Sequence, residues 1–588
     1  MRCATAIIKA LEALGTEVAF AYNGHGNWAL LDAIEFESGI RGIACRGEDQ
    51  AVHMADGYAR ARKGPIPVVC TSVGPGNMNI APALANAFFE SSPMLILAGG
   101  GSTHWLDRGG IEEFYRYGPD EWIQTVKTYT KKAVGISRPD TAVDMVLRAY
   151  KAAITGRPGP VVLQVPFDIQ HSEVMIDDDL SAIRRLVDVH PPGPDADGIA
   201  EAAELIAAAK KPLVFVSGGV RHAAANRELA TLVEEFGLPV GTTTMGKGAY
   251  PENKPLSVGC IGRSGAGHAN RAAKECDLLI AIGTHFSDID TGGWTLFDIP
   301  GKTRLIHIDI DPDEISRVYP TDVGIYSDAR LALTALLAAL RDLKPDAKRL
   351  KPWREEIDKW RGEWEQSVAP IRNEGTSPLR YGYVCHQVGA LLNESFPDTT
   401  LFVDTGHLLS FAPPFLEQRL PNFFHCGFFH RMGWSLPAAL GAKVARPDAP
   451  AVVLMGDGSF LFSNTALATA REYDAPVVVL VMNNGSLQIE RELMQRKYGR
   501  SAFVDYKVEE TGEMWSPDYG KIADAMGAET TRVTTPEALV PAVRAALESG
   551  KTHVIDVAID LNLEGYRSVW YPYPDDFWTP RQALKKAF

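Results

Sequence analysis

Cysteine is scarce in this chain. Seven occur among 588 residues, at positions 3, 45, 70, 260, 276, 385 and 426, and no two form a Cys-x-x-Cys pair. An odd, scattered set excludes a disulfide scaffold or a cysteine-built zinc framework and fits reduced thiols in a cytoplasm. No run of 18 apolar residues occurs, so no membrane span is expected. The opening stretch, Met1-Arg2-Cys3-Ala4-Thr5, passes directly into an amphipathic helix, and no secretory leader is expected. Positive charge is also in deficit: 59 Lys and Arg against 73 Asp and Glu leave a formal net charge of −14. That excludes a nucleic-acid binder, which normally carries a basic face, but leaves room for an anionic small molecule bound by a local field. Short-period repeats are absent.

Hydrophobic content of 46% with 22% charged residues is that of a globular protein. A chain this long exceeds one core and calls for three or four domains of about 150 residues. Apolar strand patterns alternate with helical ones throughout, which predicts an α/β fold made of three doubly wound parallel-sheet domains. The first, residues 1–175, carries Val18-Ala-Phe-Ala-Tyr22, Gly42-Ile-Ala-Cys45, Pro67-Val-Val-Cys-Thr71, Met94-Leu-Ile-Leu97 and Pro160-Val-Val-Leu-Gln-Val165. Residues 171–198, rich in Asp and Pro, read as a linker. The second unit spans 195–342, with strands at 212–217, 239–240, 277–282 and 304–309. A charged stretch near 343–375 reads as a solvated helix and linker. The third unit covers 376–562, and an aromatic, proline-rich C-terminal arm covers 563–588.

The most informative motif is Gly456-Asp457-Gly458-Ser459, which follows the strand pattern Ala451-Val-Val-Leu-Met455. After 24 residues, enough for one crossover helix, the next apolar run (477–482) ends in Asn483-Asn484. In a parallel sheet both strand ends reach the same edge, where open α/β sheets place their ligands. Asp457 and Asn484 then offer two oxygens to one hard cation, leaving its other positions for water and phosphate, as Mg2+ prefers. Glycines beside the carboxylate let backbone N–H groups approach a diphosphate.

This spacing resembles the signature of thiamine diphosphate (ThDP) enzymes, and the resemblance extends along the chain to the acetolactate synthase-like superfamily. Arg46-Gly47-Glu48, with Gly57-Tyr58-Ala59 nine residues on, matches the family's activating glutamate. The resemblance assigns Glu48 to the aminopyrimidine N1′, so that the cofactor's own amino group can take the thiazolium C2 proton. Gly74-Pro75-Gly76-Asn77-Met78-Asn79 matches a loop on the pyrimidine, with Gly74, Pro75 and Asn79 as contacts. Gly406 and His407 match a diphosphate-side loop, and Met432 the bulky residue under the bent cofactor. Gly456, Asp457, Gly458, Ser459 and Asn484 match the diphosphate and metal site, where the resemblance implies Asp457, Asn484 and the Ser486 carbonyl as metal ligands. Because Glu48 and Asp457 belong to different domains, the family implies an active site between subunits, hence a homodimer or homotetramer.

Three departures bear on the substrate. His25, in Asn23-Gly24-His25-Gly26, stands where decarboxylase relatives carry a polar group that acts on substrate; a turn histidine capping the next helix is the plain alternative. Glu490, in Leu487-Gln488-Ile489-Glu490, matches the acid of pyruvate-decarboxylase-like members, while Leu493 replaces the synthases' acceptor-recognising tryptophan. Tyr117-Gly118-Pro119-Asp120 replaces their Phe-Gln-Glu loop. The middle unit resembles the FAD-binding domain of acetolactate synthase and glyoxylate carboligase, through Gly218, Gly219, Thr243, Met245, Gly283, Asp309 and Asp328. The expectation is a cytoplasmic ThDP- and Mg2+-dependent carboligase or decarboxylase acting on a 2-oxo acid, with FAD as a structural cofactor. A hydrolase of a cyclic 1,2-dione, similar to cyclohexane-1,2-dione hydrolase, is the alternative, and a non-catalytic binding subunit a remote one.

Overall fold

The computed structural model describes residues 1–106, 108–112, 121–175, 180 and 182–561. They build three six-stranded sheets, every strand pair of which is parallel. The first contains β1 (Val18–Ala21), β2 (Arg41–Ala44), β3 (Val68–Thr71), β4 (Met94–Gly100), β5 (Lys132–Gly135) and β6 (Pro160–Pro166), in the order β2-β1-β3-β4-β6-β5. The second contains β7 (Pro212–Val216), β8 (Val240–Thr242), β9 (Ser257–Cys260), β10 (Leu278–Ile282), β11 (Arg304–Asp309) and β12 (Val323–Tyr326), ordered β12-β11-β10-β7-β8-β9. The third contains β13 (Thr400–Val403), β14 (Phe423–His425), β15 (Ala451–Gly456), β16 (Val478–Asn483), β17 (Glu529–Val533) and β18 (His553–Ala558), ordered β14-β13-β15-β16-β18-β17.

The outer two sheets therefore share one topology, and the middle one has the strand order of dinucleotide-binding α/β folds. Central strands such as β16 are buried at every position, as parallel strands covered on both faces must be, and so read as unbroken apolar runs. Each sheet has a central point where the strand order reverses: between β1 and β3, between β7 and β10, and between β13 and β15. A crevice opens there because the flanking connections leave on opposite faces.

The first and third units are clamped by two helices, Glu48–Ala61 and Ser435–Ala445. They cross backbone to backbone: a Cβ on Gly57 would lie 1.9 Å from the Ala438 carbonyl oxygen, and one on Gly441 would lie 1.8 Å from that of Met54. A buried network seals the crossing. Arg60 Nε and Nη2 donate to the Asp56 carboxylate at 2.7 and 2.8 Å, Trp434 Nε1 donates to Asp56 Oδ2 at 2.7 Å, and Arg60 Nη1 reaches the His425 carbonyl at 2.8 Å. Gly57→Ala is expected to destabilise the protein by ~1–3 kcal/mol, the usual cost of overpacking. A chemical-denaturation midpoint equal to that of the parent would count against this close crossing.

Residues 343–375, expected as a solvated helix and linker, do carry a helix, Lys351–Asn373, but it is not wholly solvated: its Trp353, Ile357, Trp360, Trp364, Val368 and Ile371 are buried. Its charges line the outer face, while the aromatic stripe packs into the core shared by the second and third units. The expected arm at 563–588 and the Tyr117–Asp120 segment lie outside the described residues. Among those described, no helix is long and apolar enough to cross a membrane.

Candidate active site

The motif at 456–459 sits where the β15 and β16 ends lie side by side, Gly456 opposite Met482 in the ladder. Asp457 opens the short helix Asp457–Ser463 with its side chain 3% exposed. Its Oδ1 accepts the Gly458 N–H at 2.7 Å, and Oδ2 accepts those of Gly485 and Asn484 at 2.7 and 3.1 Å. Burial nevertheless pushes this carboxyl up to about 6, the surrounding N–H groups pulling back against it. A carboxylate held reluctant to carry charge in a dry turn gains most from a cation beside it.

Asn484 faces the same turn. Its Oδ1 accepts the Ser486 N–H at 3.1 Å and its Nδ2 donates to the Tyr381 hydroxyl at 3.1 Å. Asn483 points the other way, donating to Asp556 Oδ1 at 2.9 Å and accepting from the Ser516 hydroxyl at 3.0 Å. The first amide of the pair thus anchors the sheet, and the second serves the turn. Ser486 is held by its hydroxyl on Asp505 Oδ1 at 2.9 Å. One carboxylate, one amide oxygen and one backbone carbonyl make a hard-oxygen donor set that fits Mg2+.

The space above these strand ends is shaped for a ligand. A Cβ on Gly406 or Gly456 would meet nothing within 4 Å. One on Gly458 would meet Leu487 Cδ2 at 2.9 Å, the Tyr506 hydroxyl at 3.0 Å and Met432 Cε at 3.2 Å, so these three side chains border the turn closely. Asp404, wholly buried at the end of β13, ties the loops together. Its Oδ1 accepts from the Ser459 hydroxyl at 2.7 Å and Gly433 N–H at 3.2 Å, and its Oδ2 from the Ser435 N–H and hydroxyl at 2.9 and 2.6 Å. His407, in the next turn, is buried, and burial lowers its imidazole to about 3. Its Nε2 lies 3.2 Å from Glu492, which also pairs with Arg496.

Glu490, the acid candidate, is exposed in the first turn of the helix Gln488–Tyr498. Glu492, two residues on, is the carboxylate turned toward His407. Sequence patterning also missed Tyr381, a fully buried phenol that opens the helix Tyr381–Ser395 far from any motif; burial and the charge of Asp457 keep it protonated well beyond the usual range.

In the first unit Glu48 opens its helix 8% exposed and accepts a hydrogen bond from Asn79 Nδ2 at 3.1 Å. A Cβ on Gly76 would come within 3.0 Å of Glu48 Oε1, so the loop passes directly over the carboxylate. Gly74 takes a left-handed φ of 57° and Pro75 starts the helix Pro75–Asn79, both where their residue types are at ease. Asn77 locks the loop, accepting from the Thr71 hydroxyl and donating to the Gly99 carbonyl, each at 2.8 Å. His25 occupies the turn after β1, across this loop from Glu48. Gly24 presses against Ser72 and Gly26 against Val73.

In the middle unit a cavity of about 630 Å³ opens at the β7/β10 reversal. Gly218, Gly219, Met245, Gly283, Asp309 and Asp328 line it; Thr243 stands behind, bonded to the Ser217 hydroxyl at 2.8 Å. Gly219 and Gly283 touch backbone to backbone, a Cβ on either falling 2.5 Å from the other's Cα. Arg157, Arg221 and Lys63 add positive charge to the wall, and burial pushes Asp309 up to about 7.

Comparison with known proteins agrees with this geometry. Residues 1–118 match the N-terminal TPP binding domain of the thiamine pyrophosphate enzymes, 199–336 their central domain, and 404–557 their C-terminal TPP binding domain. The chain is 35% identical to a probable acetolactate synthase large subunit of Methanocaldococcus jannaschii, over 95% of this chain and 92% of that protein. It is 32% identical to a probable acetolactate synthase large subunit of Methanococcus aeolicus, over 95% and 92%. The acetolactate synthase large subunit of Corynebacterium glutamicum is 31% identical, over 97% and 88%. With three parallel α/β units matched in order and relatives aligned along nearly the whole length, the chain belongs to the thiamine pyrophosphate enzymes, within the acetolactate synthase-like superfamily.

Proposed function

We propose that this enzyme is an acetolactate synthase-like carboligase that condenses 2-oxo acids with loss of CO2. The observation that carries the reading is the buried Asp457–Asn484–Ser486 oxygen turn at the adjacent ends of β15 and β16, matched by a buried glutamate, Glu48, that follows β2 in the sister sheet. Asp457, Asn484 and the Ser486 carbonyl would hold Mg2+ and the diphosphate, with Gly456, Gly458, Ser459, Gly406 and His407 around it. Met432 would support the bent cofactor, and Glu48, Gly74, Pro75 and Asn79 would receive the pyrimidine. When bound, ThDP supplies the carbon nucleophile and electron sink. The chain's own work is to hold the rings, keep water out and, at Glu48, exchange a proton with the pyrimidine. His25 and Glu490 are the substrate-side acid–base groups in this reading.

A second copy of the chain completes the site. Glu48 takes its hydrogen bond from its own unit, and apolar side chains flank both loops in the open: Trp28 and Met78 beside His25 and Asn79, Leu461 and Phe462 beside Asp457, with Trp28 54% and Phe462 57% exposed. Covering these faces against each other yields a homodimer, or a tetramer of such pairs, with the site between subunits. The cavity of the middle unit suits FAD: glycine turns for phosphates, Asp309 for a ribose, and three cationic side chains for diphosphate charge. Seven unpaired, buried cysteines support a cytoplasmic setting.

The dione hydrolase and the non-catalytic subunit gain no support from the relatives, and both Glu48 and Asp457 are in place. Incubation with pyruvate, ThDP and Mg2+ is expected to release CO2 and form a five-carbon 2-hydroxy-3-oxo acid. The purified protein is expected to show the visible absorbance of an oxidised flavin. Ring opening of cyclohexane-1,2-dione without CO2 release from any 2-oxo acid would reverse the assignment, and a colourless, fully active enzyme would remove FAD from it.

A further inference from the structure

We propose that Glu112 is a positioning residue that holds His25 with its Nδ1 protonated, so that Nε2 is the atom that exchanges a proton with substrate. Glu112 Oε2 lies 3.2 Å from His25 Nδ1. The opposite nitrogen, Nε2, is shielded from solvent and finds no hydrogen-bond partner among the described residues. One nitrogen beside a carboxylate and the other buried without a partner is an arrangement in which the carboxylate can set the imidazole's tautomer from behind.

The backbone around the pair is held on every side. Gly26 N–H donates to the Ser72 hydroxyl at 3.2 Å, the Gly26 carbonyl accepts from Gln170 Nε2 at 2.7 Å, and Asn27 closes the turn through Gly24 N–H at 3.1 Å and the Tyr22 carbonyl at 3.0 Å. Glu112 has a left-handed φ of 59°, and its carbonyl oxygen packs where a Cβ on Gly74 would stand, 1.9 Å away. One residue thus touches both the pyrimidine loop and the histidine turn. Glu48 flanks the same loop through Asn79 and Gly76, a further ionisable group that borders it.

The role given to His25 rests on the carboligase reading; the geometry of the pair does not. The test therefore has two arms. In the first, the cofactor-free protein labelled with 15N-histidine is examined by long-range 1H–15N correlation. His25 is expected as the neutral Nδ1–H tautomer, and Glu112→Gln, whose amide can donate to Nδ1, is expected to convert it to the Nε2–H form. In the second, pyruvate turnover of Glu112→Gln and of Glu112→Ala is expected to fall about 10- to 100-fold with KM within about twofold, while exchange of the ThDP C2 proton stays at the parent rate. An Nε2–H tautomer in the parent, a tautomer indifferent to Glu112, or full turnover in both variants would overturn the proposal. Absence of C2 exchange in the parent would instead defeat the carboligase reading, leaving the tautomer result to judge the pair.

Discussion

Asp457→Ala is expected to weaken ThDP binding in the presence of Mg2+ by about 100-fold or more, ~2.7 kcal/mol at 25 °C, read by titration calorimetry. Two losses add. The cation loses the only carboxylate of its donor set, and the Gly458, Asn484 and Gly485 N–H groups lose their shared acceptor. Those N–H groups then face a dry turn unpaired, an uncompensated desolvation cost of ~1–3 kcal/mol each where no water enters. Asp457→Asn separates the effects, because it keeps a side-chain oxygen for the turn but removes the charge. It is expected to retain the fold of the loop and lose most of the metal dependence. Equal ThDP affinity for the parent and Asp457→Ala would place the diphosphate elsewhere.

Glu48→Gln is the second large effect. The amide keeps the volume and can still meet Asn79, so cofactor affinity is expected to change only a few-fold. It cannot exchange a proton with the pyrimidine, so exchange of the C2 proton, followed by NMR after acid quench, is expected to slow by about 10²–10⁴-fold, the usual range for a positioned acid–base group. Turnover should fall in parallel. An unchanged exchange rate would remove Glu48 from that role, whatever happened to turnover.

The buried parts of the fold were legible because burial on both faces leaves no room for polar punctuation. β16 and the strand before it, β15, announce themselves as apolar runs ending in glycine or asparagine. Two edge strands do not. β5 reads Lys-Ala-Val-Gly and β17 reads Glu-Thr-Thr-Arg-Val, each with one face in solvent, and short polar alternation of that kind carries almost no signal. The helix Lys351–Asn373 is legible as a helix, but its buried face is not, for a related reason. Its charge dominates the composition, whereas Trp353, Ile357, Trp360, Trp364, Val368 and Ile371 recur every three or four residues and mark a packed face.

At the site, what lay within one contiguous motif could be read, and what was assembled from distant chain could not. The Asp457 turn and Asn484 are bound to each other by strand pairing, so spacing alone locates them. Tyr381 reaches Asn484 across 103 residues and has no motif of its own. Glu112 meets His25 across a loop, and Glu492 rather than Glu490 faces His407 because of the phase of one helix. Sequence singles out Asn484 for the cation but says nothing of what Asn483 does. Only the sheet shows that the first is spent on Asp556 and the second is free to serve the turn.

A crystal structure of the protein grown with ThDP and Mg2+ tests the central claim most directly. The account predicts a metal ion coordinated by Asp457, the Asn484 side-chain oxygen and the Ser486 carbonyl, bridging to the diphosphate, with the aminopyrimidine edge on a Glu48 carboxylate. Cofactor lying in another crevice, or a metal held without Asp457, would contradict it.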